Sequence, residues 1–256
     1  MRREVSVVNK KVCSFPILFA LLALLIGTCA VVFPASAQAA PTSTGSITVS
    51  GTVASSYDAY QIFSANVVDG DSDAKTATDL AWASDAVRDA ALPVLHSAGM
   101  PNSQTTAQEA AEWLNTDSHL TSALSAQLAR SLRSSGAEPV ALNAGTAAEL
   151  PCGYWLIVAK DDAIAQGEAG TAPIMALVGG SAVTVKPKAA TPKVAKHVLE
   201  DSTDAWQKAA DVTAADDLYW RLSATVPAGL TAYDTYTVRF VDTMSAGLDP
   251  SKVAAS

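Results

Sequence analysis

The chain has 256 residues and a formal net charge of −8, which becomes −11 without the first forty residues, since these carry four basic groups and one acidic group. An acidic chain of this kind excludes nucleic acid as a natural partner. Of three cysteines, Cys13 and Cys29 fall in those first forty residues and only Cys152 remains. The rest of the chain therefore has no internal disulfide, and durability must come from core packing, a metal or another covalent link.

Arg2, Arg3, Lys10 and Lys11 precede an apolar run from about Phe15 to Pro34, followed by the small residues Ala35 to Ala40. Residues 1–40 read as a secretory signal peptide cut near Gln38 to Pro41, and a retained membrane anchor is the competing reading. Cleavage predicts a secreted chain of about 216 residues, enough for one large domain or two smaller ones.

The pattern along the chain favours two. Ser46 to Ser50 and Ala59 to Phe63 alternate like strands, and Tyr154 to Val158 and Ile174 to Val178 look like buried ones. Between them, from about 76 to 134, the spacing turns helical through Leu80, Val87 and Leu92, then Trp113 and Leu114, then Leu120 to Leu132. Pro101 to Ser103 divides this stretch. Residues 41–182 are thus expected to form a β domain with an insertion of about three helices. Residues 183–192 form a linker, stiffened by Pro187 and Pro192. Residues 193–256 begin a second domain, with strands expected near Lys193 to Leu199, Leu218 to Val226 and Thr235 to Asp242 around an acidic loop.

Two charged residues of that second domain fall on apolar faces. Period-2 alternation puts Lys196 with Val194 and Val198, and Asp242 with Tyr236, Val238 and Phe240. Burial without a partner neutralises both, lowering the lysine pKa and raising that of the acid. A neutral amine beside a protonated acid is amide-forming chemistry. A structural salt bridge would use the same two residues.

Val183-Thr184-Val185-Lys186-Pro187-Lys188, Thr191 to Val198, Val226-Pro227, Phe240 to Met244 and Gly247-Leu248 occur in an order that resembles the sortase-assembled pilins of Gram-positive bacteria. The resemblance is to the first two domains of fimbrial subunits with an isopeptide-forming second domain. It implies tandem Ig-like, CNA-type β-sandwiches, mainly β with an α insertion, the second truncated. It also implies a place in the cell-wall fimbrium, other pilin subunits and a pilus sortase as partners, host or bacterial surface ligands, and no membrane contact after signal cleavage. On the same resemblance Lys188 is the amine a sortase joins to the next subunit, with Lys186 where the family carries tyrosine and Gly179 where it carries tryptophan. Lys196 is then the nucleophile of an internal Lys–Asn isopeptide and Asp242 its catalytic acid. No asparagine follows Asn143, so the partner is absent from this chain. With no sorting motif either, the sequence reads as the N-terminal part of a longer pilin.

Other constellations are weaker. Cys152 and Gln61 would suit a thioester, but Pro151-Cys152-Gly153 reads as a turn. Asp201, Asp204, Asp211, Asp216 and Asp217 fit no calcium-loop spacing and read as a solvated loop. His96, His119 and His197 form no zinc or triad pattern. The expectation is a structural protein, not an enzyme, with no metal or cofactor. The competing readings are a tip or basal adhesin subunit, and a secreted carbohydrate-active enzyme or its binding module. The last would need convergent carboxylates or aromatic platforms, whereas Trp82, Trp113, Trp155, Trp206 and Trp220 mostly occupy core-like positions.

Overall fold

The apolar alternation after Thr44 becomes two strands. β1 (Thr44–Val49) buries Ile47 and Val49, and β2 (Ser56–Asp69) extends well beyond the expected Ala59 to Phe63. The computed structural model describes residues 43–70, 74–116, 118–165, 168–189, 192–211, 213, 217–245 and 247. The expected signal peptide with Cys13 and Cys29, Thr191 of the linker, Asp216 and Leu248 lie outside the described residues.

Residues 75 to 82 do not begin the helical insertion. They form β3 (Lys75–Trp82), antiparallel to β2, and the first helix starts only at Asp85. The threonines at 76 and 78 suit a strand, and β2 supplies the ladder that a local pattern cannot reveal. Three helices follow: α1 (Asp85–Ser97), α2 (Ala107–Asn115) and α3 (Ser122–Ser134). Each begins where a hydroxyl accepts from an early amide: Ser84 from Val87, Thr106 from Glu109 and Thr121 from Leu124. Such caps are worth about 1 kcal/mol each. Glu109 completes a capping box at α2, and its hydrogen bonds from Thr106 and Thr105 hold its carboxyl below the usual range.

The chain then returns to strands: β4 (Val140–Asn143), β5 (Ala147–Pro151), β6 (Gly153–Ala159), β7 (Ile174–Val178) and β8 (Val183–Val185). One sheet runs β3-β2-β6-β7, with β4 also paired to β2; the other runs β5-β1-β8, where β1 and β8 are parallel. β6 is buried on both faces. Leu156 and Val158 join the helical side with Leu95, Leu128 and Leu132, while Trp155, Ile157 and Ala159 point the other way and are equally covered. Complete burial of a side chain such as Leu156 contributes roughly 1.5–3 kcal/mol. A bulge in β2 at Ile62 puts Ile62 and Phe63 on the same helical side, where Phe63 packs on Trp82 at 4.8 Å. The architecture is mainly β with an α insertion: up to β8 the described residues form two sheets, with the helices layered on the larger.

The chain divides into two units. The first runs to Pro192 and also takes in Val226–Thr235. The second holds Lys193–Thr225 and the residues from Tyr236 on. In the second, β9 (Lys193–Glu200) is the centre of a three-stranded antiparallel sheet between β10 (Ala205–Gln207) and β11 (Trp220–Thr225). Its core is small. Val198 and Glu200 are buried, while Val194 is 52% exposed. The strand expected near Thr235 to Asp242 is not formed, and Val238 and Phe240 stay exposed.

Candidate functional site

Lys196 and Asp242, 46 residues apart, are brought together. The Lys196 ammonium donates to both oxygens of Asp242, at 2.7 Å to Oδ1 and 2.6 Å to Oδ2. It also sits 4.2 Å from the centre of the Trp220 ring, which β11 presents next to β9. The strand pairing explains this position: Leu222 lies opposite Lys196, and Trp220 is opposite Val198 on the same strand. The expected burial, however, is not found. The side chains of Lys196 and Asp242 are 36% and 21% exposed, so the apolar face on which parity placed them is covered only at its Val198 end. In this state the two groups form a half-exposed ion pair capped by an indole. Trp220 is itself 39% exposed, so it is not one of the tryptophans in a core-like position.

Glu200, at the end of the same strand, accepts from the amide of Asp211 at 3.0 Å and from Ser202 at 3.2 Å. These bonds, that of Asp211 first, hold its carboxyl below the usual range. Part of the acidic loop is thus tied to the sheet by a carboxylate that sequence reading had not singled out. Among the described residues no group of three His, Cys, Asp or Glu could hold a metal ion.

Lys188 follows β8 and is exposed. The strand before it is pinned, because the carbonyl of Val185 accepts from the Ser50 amide at 2.8 Å and from its hydroxyl at 3.2 Å. After it, Ala189 forms an antiparallel bridge with Thr171. Lys188 therefore projects from a short span fastened on both sides.

Upstream of β8 is a clamp that no local pattern announced. Lys75, at the start of β3, donates to Asp69 at 2.9 Å, to the carbonyls of Gly179 and Ser181 at 2.6 and 2.8 Å, and to the Ser181 hydroxyl at 2.9 Å. Asp69 accepts from the Ser181 amide at 2.7 Å. Lys75 and then Ser181 hold the Asp69 carboxyl below its ordinary range. Gly180, with φ of +62°, lies so close to Asp69 that a Cβ there would meet its oxygen at 2.5 Å.

The remaining candidates separate. Gln61 does reach Cys152, but its amide donates to the Cys152 main-chain carbonyl at 3.1 Å, while the sulfur lies buried towards Gly179. That is a structural hydrogen bond. His96 faces the Gln104 carbonyl at 2.9 Å, and His119 stacks on Trp113 at 4.2 Å. A hollow lined by Gly51, Thr52, Ala54, Ala144 and Ile164 opens to solvent, with Asp162 as the one charged group among its described lining residues. No helix among the described residues is long and apolar enough to cross a membrane.

No family model and no curated protein matches this chain. Among solved structures the chain is similar to the T6 backbone pilin of serotype M6 Streptococcus pyogenes, a modular three-domain protein with variable loops and extensions. The likeness has 12% identity and a TM-score of 0.28, over 60% of this chain and 29% of that one. The chain thus spans less than a third of that pilin's length.

Proposed function

We propose that this chain is a structural subunit of a surface fimbrium, in which Lys188 is the amine joined to the next subunit by a sortase. In the same reading Lys196 and Asp242 are the nucleophile and acid of an intramolecular amide bond. The observation that carries it is the apposition of Lys196 and Asp242 at 2.6–2.7 Å, at the two positions where the pilin-like motifs place that chemistry. The exposure of Lys188 on a fastened span is the second support.

The chemistry follows from the pair. Covering the exposed apolar side of Val194 and Phe240 would strip water from Lys196 and Asp242, and desolvation favours the neutral forms. A proton then passes along the existing contact from ammonium to carboxylate. The free amine attacks the side-chain carbonyl carbon of an asparagine while protonated Asp242 donates to its oxygen. The new carbon–nitrogen bond forms, the old one breaks and ammonia leaves. No cofactor enters, because the fold supplies proximity. No asparagine follows Asn143, so no later strand among these residues supplies that carbonyl, and without one the pair remains an ion pair.

The test is Lys188→Ala in a fimbria-forming version that carries a sorting signal. High-mass ladders on a denaturing gel should disappear. Ladders of unchanged length and yield would refute the acceptor assignment.

A further inference from the structure

Residues Val226–Thr235 follow β11 of the second unit in sequence but belong to the first. Pro227 opens a 3₁₀ turn over Ala228–Ala232, and Leu230 and Ala232 are each 1% exposed. Two glycines make the fit possible. Gly229 lies against Ala172, where a Cβ would come within 2.4 Å, and Gly170, with φ of +81°, lies so close to Tyr233 that a Cβ there would meet its ring at 3.0 Å. The segment is also bonded from outside. Arg133 donates to the carbonyl of Ala232, and Asp161 accepts from the Asp234 amide at 3.1 Å.

Its tightest contact is with a single residue. The Tyr233 hydroxyl accepts from the Thr171 amide at 2.9 Å and donates to the Thr171 carbonyl at 3.0 Å, both in buried surroundings. One side chain thus satisfies both backbone groups of Thr171, as a neighbouring strand would. Thr171 is the residue bridged to Ala189, which is next to Lys188. Of the two fastenings that flank Lys188, that at Val185 is made by Ser50, the residue after β1. The other rests on Thr171, and so on a tyrosine that arrives only after β11.

We propose that Tyr233 is a positioning residue for Lys188: docking of the Val226–Thr235 strap holds Thr171, Thr171 holds Ala189, and the acceptor lysine is presented only when the strap is in place. The inference rests on Lys188 being the acceptor. It adds a regulation, since a chain whose strap has not docked is a poor acceptor and is kept out of the polymer.

The experiment compares the 256-residue chain with Tyr233→Phe, which keeps the ring and removes the hydroxyl, and with Gly229→Ala, which pushes the strap off Ala172. Hydrogen exchange is read at Lys186, Lys188 and Ala189, with β6 amides as the control that the first unit is folded. A pilus-class sortase and a synthetic LPxTG peptide supply the transfer assay, with Lys188→Ala alongside. Both strap variants should exchange about tenfold faster at the Lys188 span with β6 unchanged, and the apparent KM for the acceptor chain should rise at least threefold with kcat kept. Unchanged exchange at Lys188 and Ala189 in both variants, or unchanged KM while Lys188→Ala abolishes transfer, would overturn the proposal. If Lys188→Ala leaves transfer intact, the acceptor assignment fails instead, and the exchange result still decides whether the strap controls the span.

Discussion

The state of the Lys196–Asp242 pair can be measured as a coupling energy. Both side chains are partly wetted, at 36% and 21% exposure, and the two contacts are short. Exposed ion pairs contribute roughly 0.2–1 kcal/mol, and a cation over an exposed ring about 0.5–1 kcal/mol. Asp242→Asn removes only the charge attraction and should cost about 0.5–1 kcal/mol. Lys196→Met also loses the contact with Trp220 and should cost about 1–2 kcal/mol. In a double-mutant cycle the coupling between the two positions should be about 1 kcal/mol or less at low salt. At 1 M salt it should fall by half or more, because the screening length shrinks to about 3 Å. The readout is the opening free energy of β9 amides from hydrogen exchange, since β9 pairs on both sides and reports the second unit directly. A buried pair behaves differently, with about 3–5 kcal/mol lost on removing one partner. A single-variant loss of that size, indifferent to salt, would refute the half-exposed ion pair and show that the face is already covered.

Two predictions concern pH. Burial pushes the Tyr154 phenol up to about 12, so its contribution is complete below pH 10 and is lost as pH rises towards 12, when only the unfolded chain ionises. Alkaline unfolding of the first unit should steepen over that interval by about 3 kcal/mol, and Tyr154→Phe should remove the excess; an identical alkaline limb in the variant would contradict it. The Asp69 carboxyl is held low by Lys75 and Ser181, so its contribution is present above the ordinary carboxylate range and lost as pH falls through its lower folded value. Thermal melts below about pH 4 should therefore fall more steeply for the natural chain than for Asp69→Asn, and parallel acid limbs would count against the clamp.

Much of the first unit was legible in the residues. Strand β7 covers the expected Ile174 to Val178, and the helical spacing around Val87, Leu114 and Leu128 marks the faces that α1, α2 and α3 bury. These patterns are local, and a helix or a fully buried strand carries its own evidence in the spacing of its apolar side chains. At Leu80 the same reasoning failed, because the spacing from Leu80 to Val87 suits a helix and only the ladder with β2 decides that Lys75–Trp82 is a strand.

In the second unit the sequence by itself determined which groups could meet, Lys196 and Asp242, but not how far they would be buried. Alternation from Tyr236 to Asp242 names a face, whereas a strand also requires a neighbouring ladder, and no strand is formed there. The clamp of Lys75 on Ser181 and the clasp of Tyr233 on Thr171 span 106 and 62 residues. Neither leaves a local trace, because the partners lie far away in sequence and include main-chain groups that every residue carries. Only the tertiary structure, by bringing distant backbone within hydrogen-bond reach of one side chain, decided that a tyrosine after β11 would hold both the amide and the carbonyl of Thr171.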